Sequence, residues 1–249
     1  MKNTLFALAF LLSGIVSTNA QSDSIPRSDW NFLGNIQYVT QHYWRGLGKG
    51  PLFGEAPAFE PSISFYNKHW NIGVFAGGSF DGIYKTVMPW INYSPAKDLW
   101  IGLWDIYSPG RNFWNTNPFD FGTTTSKHFV DLMVTYQLPW FPLSLKAATV
   151  VFGGDPNADG NKNYTTYLET SYQHRWGKFS AWGGIGVTPW KGLYASRGGI
   201  NNLELKLQYN FKLYQPVTMP VFTKIAYNPV ADKFHFVVGA SLLIPYSFN

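Results

Sequence analysis

Cysteine is missing from all 249 residues, so no disulfide, thiolate nucleophile or thiolate metal centre is available to this chain. Charge is sparse. Asp, Glu, Lys and Arg make up 13% of the sequence, about half the usual globular share of roughly 25%. The surplus of 19 Lys+Arg over 14 Asp+Glu is spread out, and without a basic run it argues against a nucleic-acid partner. Beyond the first twenty residues no apolar run reaches the 18 or so residues of a membrane-spanning helix. Long helices are excluded as well, because 24 glycines and 16 prolines punctuate the sequence too often.

What is present points to export and to strands. The opening MKNTLFALAFLLSGIVSTNA has one lysine, an apolar stretch from Leu5 to Val16, and a small-residue end at Asn19-Ala20. That is the layout of a secretory signal peptide, residues 1–20, cleaved after Ala20 and leaving one domain at 21–249. Farther on, NNLELKLQYNFKL alternates strictly, with Leu203, Leu205, Leu207, Tyr209, Phe211 and Leu213 on one face and Glu204, Lys206, Gln208, Asn210 and Lys212 on the other. Period-two alternation marks a β-strand with one oily and one polar face.

Twelve such runs are expected, near residues 30–45, 58–66, 70–80, 84–93, 99–107, 128–138, 143–152, 164–174, 179–188, 202–212, 217–228 and 234–248. Ten is the runner-up count. The connections alternate too. Those at 67–69, 94–98, 138–142, 175–178 and 212–216 are short, whereas 45–56, 108–127, 153–163 and 189–200 are long. Short periplasmic turns and long extracellular loops are the habit of outer-membrane barrels. Aromatics gather at both strand ends, with Tyr66, Trp70, Trp90, Tyr93, Trp140 and Trp176 beside the turns and Tyr43, Trp44, Phe80, Tyr84, Tyr107, Phe152 and Tyr227 near the loops. Rings with a polar handle suit the two headgroup zones of a bilayer. In the last run, Phe234, Phe236, Val238, Ala240, Leu242, Ile244, Tyr246 and Phe248 form an oily face reaching almost to the chain end. The expected fold is all-β, an antiparallel up-and-down transmembrane β-barrel of the bacterial outer membrane. Its partners are outer-membrane lipids and, during biogenesis, the barrel-assembly machinery.

With oily faces outward, the polar faces line the lumen. Candidates there or at its rim are Arg45, Glu60, Asp131, Lys146, Glu169, Glu204, Lys206, Lys224 and His235, and Arg45 and Glu60 are placed to pair at the outer mouth. A mixed polar lumen fits a small passive channel, porin-like, for small solutes. The alternative is a plugged structural or binding barrel acting through its outer loops. An outer-leaflet lipid-modifying enzyme is a third reading. It would need a serine or acid beside His42 or His235, with Ser79 or Asp81 as candidates, but no GxSxG or zinc-helix motif supports catalysis and the expectation is no enzyme. Loop 108–127, with Phe113, Trp114, Phe119 and Phe121, could fold inward as a constriction or cover the mouth.

No cofactor is expected, with one exception to weigh. Asp155, Asn157, Asp159 and Asn161 around Gly160 have the alternate spacing of calcium ligands, although Thr166 stands where a bidentate Glu belongs. Plain surface turns use the same residues.

The stretch YVTQHYWRGLGKG…EAPAFEPSISFYNKHWNIGVFAGGSF resembles the opening hairpins of the TorF family of outer-membrane proteins, through Arg45-Gly46, Pro57-Ala58 and the Gly-rich strand from Gly73 to Phe80. DGNKNYTTYLETSYQ also resembles that family's strand after its Asp/Gly loop. Thr40, Gln41 and His42 depart from the family's Ser, Asp and Tyr pattern. The resemblance implies an outer-membrane barrel of unassigned cargo and carries over no catalytic residue.

Overall fold

The computed structural model describes residues 29–248; the expected signal peptide, residues 1–20, lies outside them. Thirteen strand segments build one sheet: β1 (Asn31–Val39), β2 (Ala58–Phe59), β3 (Ser62–Tyr66), β4 (Trp70–Ser79), β5 (Lys85–Ala96), β6 (Leu99–Tyr107), β7 (His128–Gln137), β8 (Leu143–Gly153), β9 (Thr166–Trp176), β10 (Phe179–Thr188), β11 (Gly199–Tyr214), β12 (Val217–Asn228) and β13 (Lys233–Ser247). β2 and β3 are halves of one stave, since both pair with β1 and with β4. The break falls at Glu60-Pro61, where proline has no N–H to give the ladder. Each stave pairs antiparallel with its sequence neighbour, and β13 returns to β1 from Asn31↔Ser247 to Val39↔Gly239. Twelve staves therefore close into a barrel with no free edge.

Loop parity follows the expectation. One end carries tight connections, such as Gly177-Lys178 between the paired Trp176 and Phe179, where Gly177 adopts φ 63°. The other end carries the segments 40–57, 108–127, 154–165 and 189–198 between strands. The tight end is called the turn end and the other the loop end.

The wall alternates as its sequence does. On β11, Leu205 and Leu207 are half exposed on the outside, while Glu204 and Lys206 turn inward and are more covered. The outer belt is made of Ile36, Ile63, Ile72, Ile101, Leu132, Leu168, Ile185, Ile225 and Ile244 among others. Trp70, Tyr93, Trp176 and Tyr246 edge it at the turn end, and Phe80, Phe152, Tyr227 and Phe234 at the loop end. About half of the buried residues are polar, including Asp131, Asn202, Ser64 and His235. This inverts a soluble sandwich, and it is the arrangement that acyl chains outside and polar contents inside require. Several aromatics leave the expected girdles. Trp90 points into the lumen, where its indole N–H donates to Asn71 Oδ1 at 2.5 Å, and Tyr84 is buried against His42.

Candidate functional site

The first stave is shorter than its alternation suggested. β1 stops at Val39, and residues 40–57 turn into the barrel mouth instead of rising above it. The tip of this inward loop is a two-residue hairpin: Trp44 and Leu47 exchange backbone hydrogen bonds at 2.8 and 2.9 Å around Arg45-Gly46. Both tip residues have positive φ, 50° at Arg45 and 83° at Gly46, as a type I′ turn demands. A side chain at position 46 would overlap the Asn201 carbonyl, so the tip is seated against β11 as closely as a backbone can be.

Arg45 anchors this plug. Its Nη1 donates to Asp131 Oδ2 on β7 at 2.5 Å and to the Tyr194 hydroxyl of loop 189–198. Its guanidinium also lies 4.3 Å from the Trp44 ring centroid and 4.9 Å from that of Tyr194. Asparagines complete the seat. Asn201 Nδ2 donates to the Arg45 carbonyl at 3.0 Å, Asn228 Nδ2 donates to the Gly46 carbonyl at 2.9 Å, and Tyr43 Oη donates to Asn202 Oδ1 at 2.6 Å. Apolar contacts with Val39, Phe53, Ala58, Tyr84, Phe222, Ala226 and Val237 exclude water around them. At the outer limb, Asp81 accepts from the Glu55 and Ala56 backbone N–H groups at 2.8 and 3.3 Å.

The expected Arg45–Glu60 ion pair does not form. The inward turn carries Arg45 past Glu60 to Asp131, and Glu60 instead accepts from Gln37 at 2.6 Å and meets His42 Nδ1 at 2.6 Å. His235 lies against Gln41 Oε1 at 3.3 Å. The His42–Glu60 contact puts an acid beside His42, as the lipid-enzyme reading asks, but the acid is Glu60 and not the expected Asp81. His42 is stacked on Tyr84 and edge-on to Phe53, and among the described residues no serine hydroxyl is hydrogen-bonded to it. Ser79 donates to Asp81 at 2.5 Å instead.

Below the plug, the wall carries Lys146, which donates to Glu169 at 3.1 Å, and Lys224, which pairs with Glu204 at 2.9 Å. Glu169 also accepts from Tyr167 Oη at 2.8 Å. Lys206 has its Nζ 4.2 Å from the Phe222 ring centroid. Lys146 points inward yet keeps 35% of its side chain exposed, so water reaches this half of the lumen.

Loop 108–127 neither constricts nor covers the mouth. Tyr107 stacks on His128, and Phe121 packs on His128 and on the outward-facing Phe152, which draws the loop over the outer rim. The His128 ring is held at 2.9 Å from Asp105 and at 2.8 Å from the Pro118 carbonyl. Trp114 and Phe119 are left at the surface. In the Asp/Asn loop, both Asp155 oxygens are taken by Thr165, from its N–H at 2.8 Å and its hydroxyl at 2.5 Å. Asn157 Oδ1 accepts the N–H groups of Asp159 and Asn161, each at 2.9 Å. These residues close a turn and do not converge on a common point; among the described residues no group of three His, Cys, Asp or Glu could hold a metal.

Sequence reasoning missed Tyr194, Asn201, Asn202 and Asn228. The signal was there in part. Asn201-Asn202 interrupts the oily face of β11 with two adjacent polar residues, both buried because the pairing with β10 shifts register at Gly186/Val187.

Fold and site together define a closed β-barrel with an apolar outer belt, whose polar lumen is entered by its own first loop. No family model and no curated protein matches the chain. Among solved structures it is similar to the KdgM porin, at 10% identity over 87% of this chain and 99% of that one, with a TM-score of 0.49. It is also similar to the Pseudomonas putida toluene transporter TodX (11% identity, 91% of each chain, TM-score 0.39) and to a Pseudomonas aeruginosa FadL homologue (8% identity, 90% and 91%, TM-score 0.36).

Proposed function

We propose that this protein is a passive outer-membrane channel for small hydrophilic solutes, with loop 40–57 as its constriction. One observation carries this reading. Inward-facing Lys146 remains in contact with water well inside a closed wall, so the turn-side half of the barrel is a hydrated vestibule. A purely structural wall has no need of a wet, charged interior, because buried charge is costly even when paired. The motifs shared with the TorF family support the same placement in the outer membrane, and the apolar belt supports contact with its lipids.

The test is uptake by liposomes carrying the refolded chain. Swelling in small sugars and amino acids above protein-free vesicles is the expected result. Swelling equal to protein-free vesicles, both for the chain and for an Arg45→Ala variant that loosens the plug, sinks the channel reading. A second reading, a permanently plugged barrel acting through its loops, is favoured by the dry packing around Tyr43, Phe53 and Tyr84. It requires that the first result be negative.

A further inference from the structure

Below the plug the charge on the wall does not balance. On β8 to β12 the inward cations are Lys146, Arg175, Lys206 and Lys224, and the inward carboxylates at that level are Glu169 and Glu204. Each carboxylate is engaged by one lysine, Lys146 and Lys224 respectively. Lys206 stands directly opposite Lys224 across the β11–β12 ladder and has no acid of its own. Arg175, on β9, has a buried Nε without a hydrogen-bond partner. The staves between are in register, with Lys206 opposite Trp182 and Trp182 opposite Gln173, two residues from Arg175 on the same strand. Like charges facing each other across a sheet destabilise it. A buried guanidinium nitrogen without an acceptor is a second, independent cost.

The facing wall differs. Among the described residues, the turn-side inward positions of β3 to β7 carry amides, hydroxyls, indoles and the Met133 thioether but no charge. Trp90 and Trp104 are stacked there with centroids 5.4 Å apart, and their indole N–H groups are already given to Asn71 and Asn92. One side of the vestibule therefore offers two uncompensated cations and the other a neutral polar surface.

We propose that Lys206 and Arg175 form an oxyanion-binding site in the vestibule, selecting carboxylate- or phosphate-bearing solutes. Guanidinium and ammonium groups are the side chains that bind such oxygens most strongly, and a bound oxyanion would accept from the free Arg175 Nε while relieving the Lys206–Lys224 repulsion. This assigns a substrate class to the channel proposed above and rests on that reading for its transport role, but binding itself needs only the folded barrel.

Two measurements on the full-length folded chain separate the questions. Calorimetric titration in detergent with sodium gluconate, and with inorganic phosphate, is expected to show saturable binding that weakens as salt is raised, whereas neutral glucose binds at least about tenfold more weakly. Lys206→Gln and Arg175→Gln should each weaken gluconate about tenfold, and Lys206→Arg should restore most of the loss. Heat-dependent electrophoretic mobility reports whether each variant is folded. Lys206→Gln removes a like-charge contact, so it is the variant that keeps the barrel intact. Equal binding of gluconate and glucose, or gluconate binding untouched by Lys206→Gln, overturns the proposal. In a KCl gradient across a planar bilayer, the chain should pass chloride over potassium, and the two Gln substitutions together should abolish the preference. Current without anion preference sinks the site and leaves the channel standing. Binding without current does the reverse.

Discussion

The two halves of the lumen obey different rules. In the loop-side half the charged groups and tip carbonyls of the plug find partners: Arg45 with Asp131 and Tyr194, the tip carbonyls with Asn201 and Asn228, and His42 with Glu60, while Asp131 Oδ1, Asn201 Oδ1 and the Tyr84 hydroxyl in the seat have none. Water is excluded, and a charge there is tolerable because its counter-charge is a hydrogen bond away. In the turn-side half Lys146 is 35% exposed, and Lys206 and Arg175 have no acid. Water reaches Lys146, whereas the charge on Lys206 and Arg175 stays uncompensated. The same alternating wall thus supports a closely packed constriction above and a region reached by water below. The difference lies in one loop.

Breaking that difference should be easiest at Arg45. Arg45→Ala leaves Asp131, wholly inaccessible, as a lone buried carboxylate, at a cost of roughly 3–5 kcal/mol. The plug is expected to leave the mouth, seen as a several-fold rise in single-channel conductance and a lowered unfolding temperature in detergent. Gly46→Ala should act in the same direction through strain at φ 83°, on the order of 1–3 kcal/mol, with further loss from overlap with the Asn201 carbonyl. Asn228→Ala removes one bond to the tip and should cost about 1 kcal/mol, enough to make channel opening noisier without abolishing closure.

A smaller effect is expected from pH. The Ser79 hydroxyl, followed by the Glu55 and Ile83 N–H groups, holds the Asp81 carboxyl below the ordinary carboxylate range. A depressed folded-state value means that its hold on the plug's outer limb is fully present above pH 4 and fades as pH falls below that toward the folded-state value. Acid should therefore raise protease sensitivity near Leu52, which is exposed, before the barrel itself unfolds. In Asp81→Asn that sensitivity should be independent of pH.

How much of this is readable from residues alone divides along the same line. The wall is local information. Alternation in NNLELKLQYNFKL and in the last strand, together with the parity of the loops, places twelve staves and their facing. The run at 84–93 is placed as a strand by sequence, but it alternates poorly, and its facing comes from its partner, since β5 takes its register from β4. The plug is non-local. Arg45-Gly46 is legible as a motif, yet its direction depends on Asp131, Tyr194, Asn201 and Asn228, which are far away in sequence and meet only when the barrel closes. Loop 108–127 failed as a constriction for a related reason. Its aromatics are as suited to the rim as to the lumen, and Tyr107, His128 and Phe152 decide for the rim.

The division of the lumen is tested most directly by thiol accessibility, which the absence of native cysteine makes clean. In the folded chain in vesicles, a membrane-impermeant maleimide should label Lys206→Cys and Thr135→Cys in the vestibule. It should leave Asn202→Cys under the plug and Leu205→Cys in the lipid belt unmodified. Labelling of position 205 in place of 206 would reverse the facing of the wall, and equal labelling of 202 and 206 would show that the plug shields nothing.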